Sequence, residues 1–209
     1  VRRQRQMCIR DRKVGVVLTI PAAGSESSTS TVIEKTIGGQ VIKCGCSSEL
    51  NRPLFAILDP ELTFTVSRYQ TACGVTDMMA HIMERYFTNS DGVDVTDNIC
   101  EGLLRAIIKN ALTVMEDPHN YNARANLMWA GSLAHNNICG VDREQDWATH
   151  HLEHQLSALY DVAHGAGLAV MFPAWMEYVF KHDVMRFARF ASEVFNCLLY
   201  TSPSPRDRS

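Results

Sequence analysis

The chain has 209 residues, 46% of them hydrophobic and 21% charged, the proportions of a globular protein. No apolar run approaches the ~18 residues of a transmembrane helix, which excludes a helical membrane protein. Formal net charge is −3; the two ends carry +4 and +1, so residues 13–197 carry −8, and nucleic acid is excluded as a partner for want of clustered Lys and Arg.

Residues 1–12 (VRRQRQMCIRDR) and 198–209 (LLYTSPSPRDRS) show neither helical nor strand periodicity. The first lacks the apolar stretch of a secretory signal and the serines of a transit peptide. Both resemble translated sequencing-adapter sequence, and the expectation is that they are non-native tails around an internal fragment, 13–197. Residues 14–20 (VGVVLTI) read as a strand stopped by Pro21 and followed by a small-residue segment, 22–26, whose backbone N–H groups could approach a ligand closely. Residues 53–58 (PLFAIL) read as a strand buried on both faces. From residue 67 apolar residues recur at three- and four-residue spacing over 70–87, 95–116, 121–137, 147–159 and 165–181, predicting five helices, the last kinked at Pro173. Asp94, Asp117-Pro118 and Asp142 mark their boundaries. Strands followed by an unbroken helical series suggest the end of an α/β domain, 13–66, joined to an all-α one, 67–197.

Seven cysteines without framework spacing indicate reduced thiols and a cytoplasmic location, and Cys44-Gly-Cys46 lacks the second pair of a metal site. The eight histidines are unevenly placed. Asp77 and His81 lie one helical turn apart, flanked by Met78, Met79, Ile82 and Met83, so both point into an apolar interior, where an ionised carboxylate needs a partner or a cation. His150 and His154 share a helix face, and His164 follows closely. Asp77, His81 and two of the downstream histidines would make a carboxylate and three imidazoles suited to Zn²⁺ or Fe²⁺. His151 faces away from His150; His119 and His182 read as solvated; His135 either lines a pocket or is a satisfied core histidine. The string at 150–154 also matches H-x-x-E-H, in which His150 and His154 would hold zinc and Glu153 would be the general base of a peptidase. That reading leaves Asp77, His81 and His164 unused.

GVTDMMAHIMERYF (74–87), QDWATHHLEHQLSALYDVAHGAGLAVMFPAWM (145–176) and LTIPAAGSES (18–27) together resemble the iron-containing (group III) alcohol dehydrogenases, in the butanol dehydrogenase and aldehyde reductase branch. The resemblance implies a dehydroquinate synthase-like architecture, in which the C-terminal part of an α/β nucleotide-binding domain precedes a helical metal-binding domain. It implies an oxidoreductase that moves hydride between a primary alcohol or aldehyde and NAD(P)(H), with NADP(H) favoured over NAD(H), and a homodimeric whole protein. It places the metal, Fe²⁺ or Zn²⁺, on Asp77, His81, His150 and His164, and gives His154 a proton-relay role. Thr19, Gly24, Ser25, Ser28, Lys43, Thr63 and Val66 fall at cofactor-contacting positions. Ala23 stands where the family often has Thr, and Ser28 where a close branch has Asn. The Gly-rich pyrophosphate turn does not occur in the chain, and the expectation is an aggregation-prone, inactive fragment. Four ligands and a divalent ion sum to +1, favouring an oxyanion. The rival expectations are a catalytically dead metal-binding module and a helical interaction domain with an incidental histidine cluster.

Overall fold

The computed structural model describes residues 14–197; the two terminal strings lie outside the described residues. Six helices dominate: α1 (Arg68–Tyr86), α2 (Asp94–Glu116), α3 (Tyr121–His135), α4 (Ala148–Tyr160), α5 (His164–Val179) and α6 (Val184–Phe195). The first five match the predicted helices to within three residues. Helix α6 was missed. Side-chain caps start three of them: Ser67, Asn120 and Asp183 accept from the backbone N–H of Gln70, Ala123 and Arg186, each cap worth about 1 kcal/mol. Asp94 is the first residue of α2 rather than its cap, Asp117 ends that helix, and Asp142 takes a left-handed turn at φ 57°. Helix α5 runs through Pro173 as one element.

Helix α1 is central, packed by α2, α3 and α5. Its Met78, Ile82 and Tyr86 are fully buried against Leu104 and Ile107 of α2, Leu127 of α3 and Leu168 of α5, all in one cluster. At about 1.5–3 kcal/mol per large apolar side chain, this cluster holds the helices that carry the histidines.

The strands are slighter than predicted. β1 (Gly15–Val17) pairs in parallel with β4 (Phe55–Ile57), from Gly15↔Phe55 to Val17↔Ile57. Phe55 and Ile57 are at least half exposed, so the strand predicted at 53–58 is not buried on both faces: among the described residues it has one neighbouring strand and no covering layer. β2 (Ser30–Ile37) and β3 (Gln40–Ser47) form an antiparallel hairpin absent from the sequence reading. Gly38 and Gly39, at φ +60° and +83°, make its two-residue turn, a geometry glycine adopts without strain. Cys44 and Cys46 are exposed on β3, and all six described cysteines are free. No described helix is long and apolar enough to cross a membrane.

Candidate metal centre

Helix α1 presents Asp77 and His81 one turn apart, α4 presents His150, and α5 begins with His164. These four converge. The Nε2 atoms of His81, His164 and His150 lie 3.5, 3.5 and 3.7 Å from one oxygen, Asp77 Oδ1. Asp77, His81 and His150 are buried and His164 is half-buried. Asp77 Oδ1 and His150 Nε2 have no hydrogen-bond partner among the described residues. Unpaired buried polar atoms of this kind are costly unless something else satisfies them. Three imidazole nitrogens around one carboxylate oxygen, at separations too long for good hydrogen bonds, fit a cation set among them.

The surroundings bear on charge. His150 Nδ1 lies 2.9 Å from Glu84 Oε1, which also accepts from the His150 backbone N–H at 2.9 Å. His164 Nδ1 hydrogen-bonds to Glu153 Oε2. Neither glutamate was expected as part of the centre. The sum of +1 counted the four ligands only; Glu84 and Glu153, counted as carboxylates, take it to −1. Glu84 could have been found from sequence, since it lies one turn beyond His81 on the same helix. Burial opposes charging His150, but Asp77 and Glu84 outweigh it and raise its pKa. Burial, with His135 and His150 adding, drives His81 well below its ordinary value.

His154 is half-buried, its ring centroid 5.4 Å from that of His164. Burial and the nearby His164 push its pKa down to about 4. His151 is exposed, as expected. His119 and His182 are exposed too, the first edge-on to Phe64 and the second 3.2 Å from Asn89. His135 lies against the centre: it stacks on His81 at 4.0 Å and its Nδ1 accepts from Arg85 at 3.1 Å. A search for metal-holding groups among the described residues gives Asp77, His81 and His150, and an adjacent trio, Glu153, His154 and His164.

The small-residue turn packs on α3. Gly24, at φ +60°, lies so close that a Cβ there would sit 2.7 Å from His135 Cβ and 2.8 Å from the Gly131 carbonyl oxygen. Ser27 donates to the Ser132 carbonyl and Ser132 to Glu26. Thr19 and Ser25 are exposed; Ser28 is buried and accepts from the Ser30 N–H. Lys43 reaches from the hairpin to Ser157 on α4 at 2.9 Å. Thr63 is fully buried, its hydroxyl donating to the Pro60 carbonyl, and Val66 is half-buried. The structure thus gathers the four residues expected to hold a metal around Asp77 Oδ1, while these seven are spread along the turn, the hairpin and the approach to α1.

Three helices bring one carboxylate and three imidazoles together, a donor set that could hold a metal ion within a helical domain. The sequence model of the Fe-containing alcohol dehydrogenase family, C-terminal, matches residues 71–204, and the chain belongs to this family. It is 43% identical over 172 residues to NADH-dependent butanol dehydrogenase A of Clostridium acetobutylicum, covering 82% of this chain and 44% of that one. It is 39% identical over 186 residues to the NADPH-dependent aldehyde reductase YqhD of Escherichia coli, covering 88% and 47%. Among solved structures, NADH-dependent butanol dehydrogenase A of Thermotoga maritima superposes with a TM-score of 0.85 at 40% identity, over 93% of this chain and 48% of that one. The chain spans about half the length of the curated relatives it matches.

Proposed function

We propose that this chain carries the metal centre and part of the cofactor site of an alcohol dehydrogenase, an oxidoreductase moving hydride between NAD(P)(H) and a primary alcohol or aldehyde such as butanol or butyraldehyde. The observation that carries this reading is the convergence of three imidazole Nε2 atoms on the unpaired Asp77 Oδ1. Residues 67–197 are the helical catalytic domain, and 13–66 the C-terminal part of an α/β nucleotide-binding domain. Asp77, His81, His150 and His164 hold Fe²⁺ or Zn²⁺, both of which suit this donor set. A metal held there would supply Lewis acidity toward the substrate oxygen, and a bound nicotinamide would supply the hydride chemistry. His154 passes the proton between that oxygen and solvent. Thr19, Gly24, Ser25, Ser28, Lys43, Thr63 and Val66 border the dinucleotide, with Thr19 and Ser25 exposed for contact. The whole protein is a cytoplasmic homodimer.

The test is a nicotinamide absorbance assay on the product of the complete gene, with butyraldehyde and added Fe²⁺ or Zn²⁺. We expect turnover that a chelator abolishes and metal restores. Turnover indifferent to chelation would overturn the reading, and stoichiometric metal without turnover would leave a metal-binding module. Run with both cofactors, the assay also tests the preference for NADP(H), against which stand relatives named NADH-dependent at 39–43% identity beside one named NADPH-dependent at 39%.

A further inference from the structure

The H-x-x-E-H string assigns Glu153 the role of a general base, and the structure gives it a different setting. Glu153 is fully buried. Its Oε2 bonds to His164 Nδ1, and its Oε1 is buried without a hydrogen-bond partner among the described residues. Buried there, it does not face solvent, as a base that meets water would. A buried carboxylate with one unpaired oxygen is also a poor stabiliser of a fold.

What Glu153 does touch is a ligand. A carboxylate only accepts, so His164 Nδ1 carries the ring proton and Nε2 presents its lone pair toward Asp77 Oδ1, 3.5 Å away. Space for the carboxylate comes from Gly167, three residues beyond His164 in α5. A Cβ at Gly167 would sit 2.6 Å from Glu153 Oε1 and 2.8 Å from Glu153 Cγ. A side chain at 167 would force the Glu153 carboxylate to shift.

We propose that Glu153 is the positioning residue for His164 and that Gly167 is the position that admits it. Glu153 fixes the tautomer and ring plane of His164 and makes the imidazole a stronger metal donor. This inference rests on reading the four residues as a metal centre.

The experiment is a Co²⁺ titration of the full chain, followed by visible absorption and by release to a chelator, with thermal melts of the metal-free protein alongside. Glu153→Ala should bind Co²⁺ ~10–100-fold more weakly, the usual effect of removing such a partner. Its metal-free melting temperature should be unchanged or higher, because an unpaired buried carboxylate is gone; a residue that merely supports the fold would lower it. Glu153→Gln, which keeps the volume and an acceptor but not the charge, should fall between. Gly167→Ala should weaken Co²⁺ binding several-fold beside Glu153 and not at all in the Glu153→Ala background, a coupling that a double-mutant cycle isolates.

Wild-type affinity in both Glu153 variants, or an equal loss from Gly167→Ala in both backgrounds, would overturn the proposal. A wild-type chain that binds no Co²⁺ overturns the metal-centre reading itself, and the inference with it.

Discussion

Of the three imidazoles that meet Asp77, His81 has no acceptor at its second ring nitrogen among the described residues; its Nδ1 is buried without a hydrogen-bond partner there. His150 and His164 each have a carboxylate there. His81 is held by stacking instead, between His135 at 4.0 Å and His150 at 4.9 Å, with Arg85 bonded to the His81 carbonyl and to His135. His154 stands apart from this set: its ring neighbours His150 and His164, and it lies outside the group of atoms facing Asp77 Oδ1. The two kinds of histidine therefore predict different losses. His164→Ala should remove metal and turnover together, metal affinity falling by two orders of magnitude or more on the order expected when one of four donors goes. His154→Ala should keep one metal per chain by elemental analysis, and slow turnover ~10²-fold or shift its pH profile, as loss of a proton-transfer group does. Metal loss in His154→Ala would move it into the ligand set.

At the scale of elements, the helices were legible because each buries one stripe in a shared core, so the 3.6-residue period is written in residues such as Met78, Ile82 and Tyr86. Of the four residues expected to hold a metal, Asp77 and His81 were legible from spacing, because positions four apart on a helix stay together when it folds; His150 and His164, on separate helices, came from the family resemblance. Glu153 was visible in the sequence only through the H-x-x-E-H string; its hydrogen bond to His164 was not, because His164 begins another helix. Helix α6 was legible too and was passed over: Val184, Phe187, Phe190, Ala191 and Val194 recur at three- and four-residue spacing, and Phe190 and Val194 are buried. The hairpin escaped because both its strands are exposed along nearly their whole length, leaving no alternation to read; its one signal was Gly38-Gly39. Its side-chain tie to the helices is Lys43 to Ser157. An element with so little buried surface opens locally, so its amides should exchange faster than those of α1 by several orders of magnitude. Gly39→Ala, at φ +83°, should cost the hairpin about 1–2 kcal/mol and speed that exchange ~10-fold, leaving Co²⁺ affinity unchanged. Slowed metal uptake in that variant would tie the hairpin to the centre.

The molecule as a whole is tied together around Asp97, on the side of α1 that carries Tyr86. Asp97 is buried on α2 and meets Arg143 from the loop before α4 at 2.8 Å, and Arg186 and Arg189 from α6. Arg143 also donates to the Arg85 carbonyl and Arg186 to the Tyr86 carbonyl, so one carboxylate anchors the C-terminal turn of α1, next to Glu84, the partner of His150. Burial raises the Asp97 pKa, but its bonds to Arg186 and Arg143 outweigh that and hold it below the ordinary value. A carboxylate whose folded pKa lies below its unfolded value binds fewer protons folded than unfolded. Its stabilisation is therefore complete above the unfolded pKa of about 3.9 and disappears as pH falls through the lower, folded one. Asp97→Asn should cost about 3–5 kcal/mol at neutral pH, because it leaves the fully buried Arg143 and the nearly buried Arg186 without their counter-charge. Urea melts of both proteins at a series of pH values would show this as a gap that is constant above pH ~4.5 and narrows below pH ~3.9, where protonation of Asp97 makes the wild type resemble the variant. Other carboxylates titrate in the same range in both proteins, and so cancel in the difference. A gap that stayed constant into acid would mean that the packing of the side chain, and not its charge, holds α6 to α1.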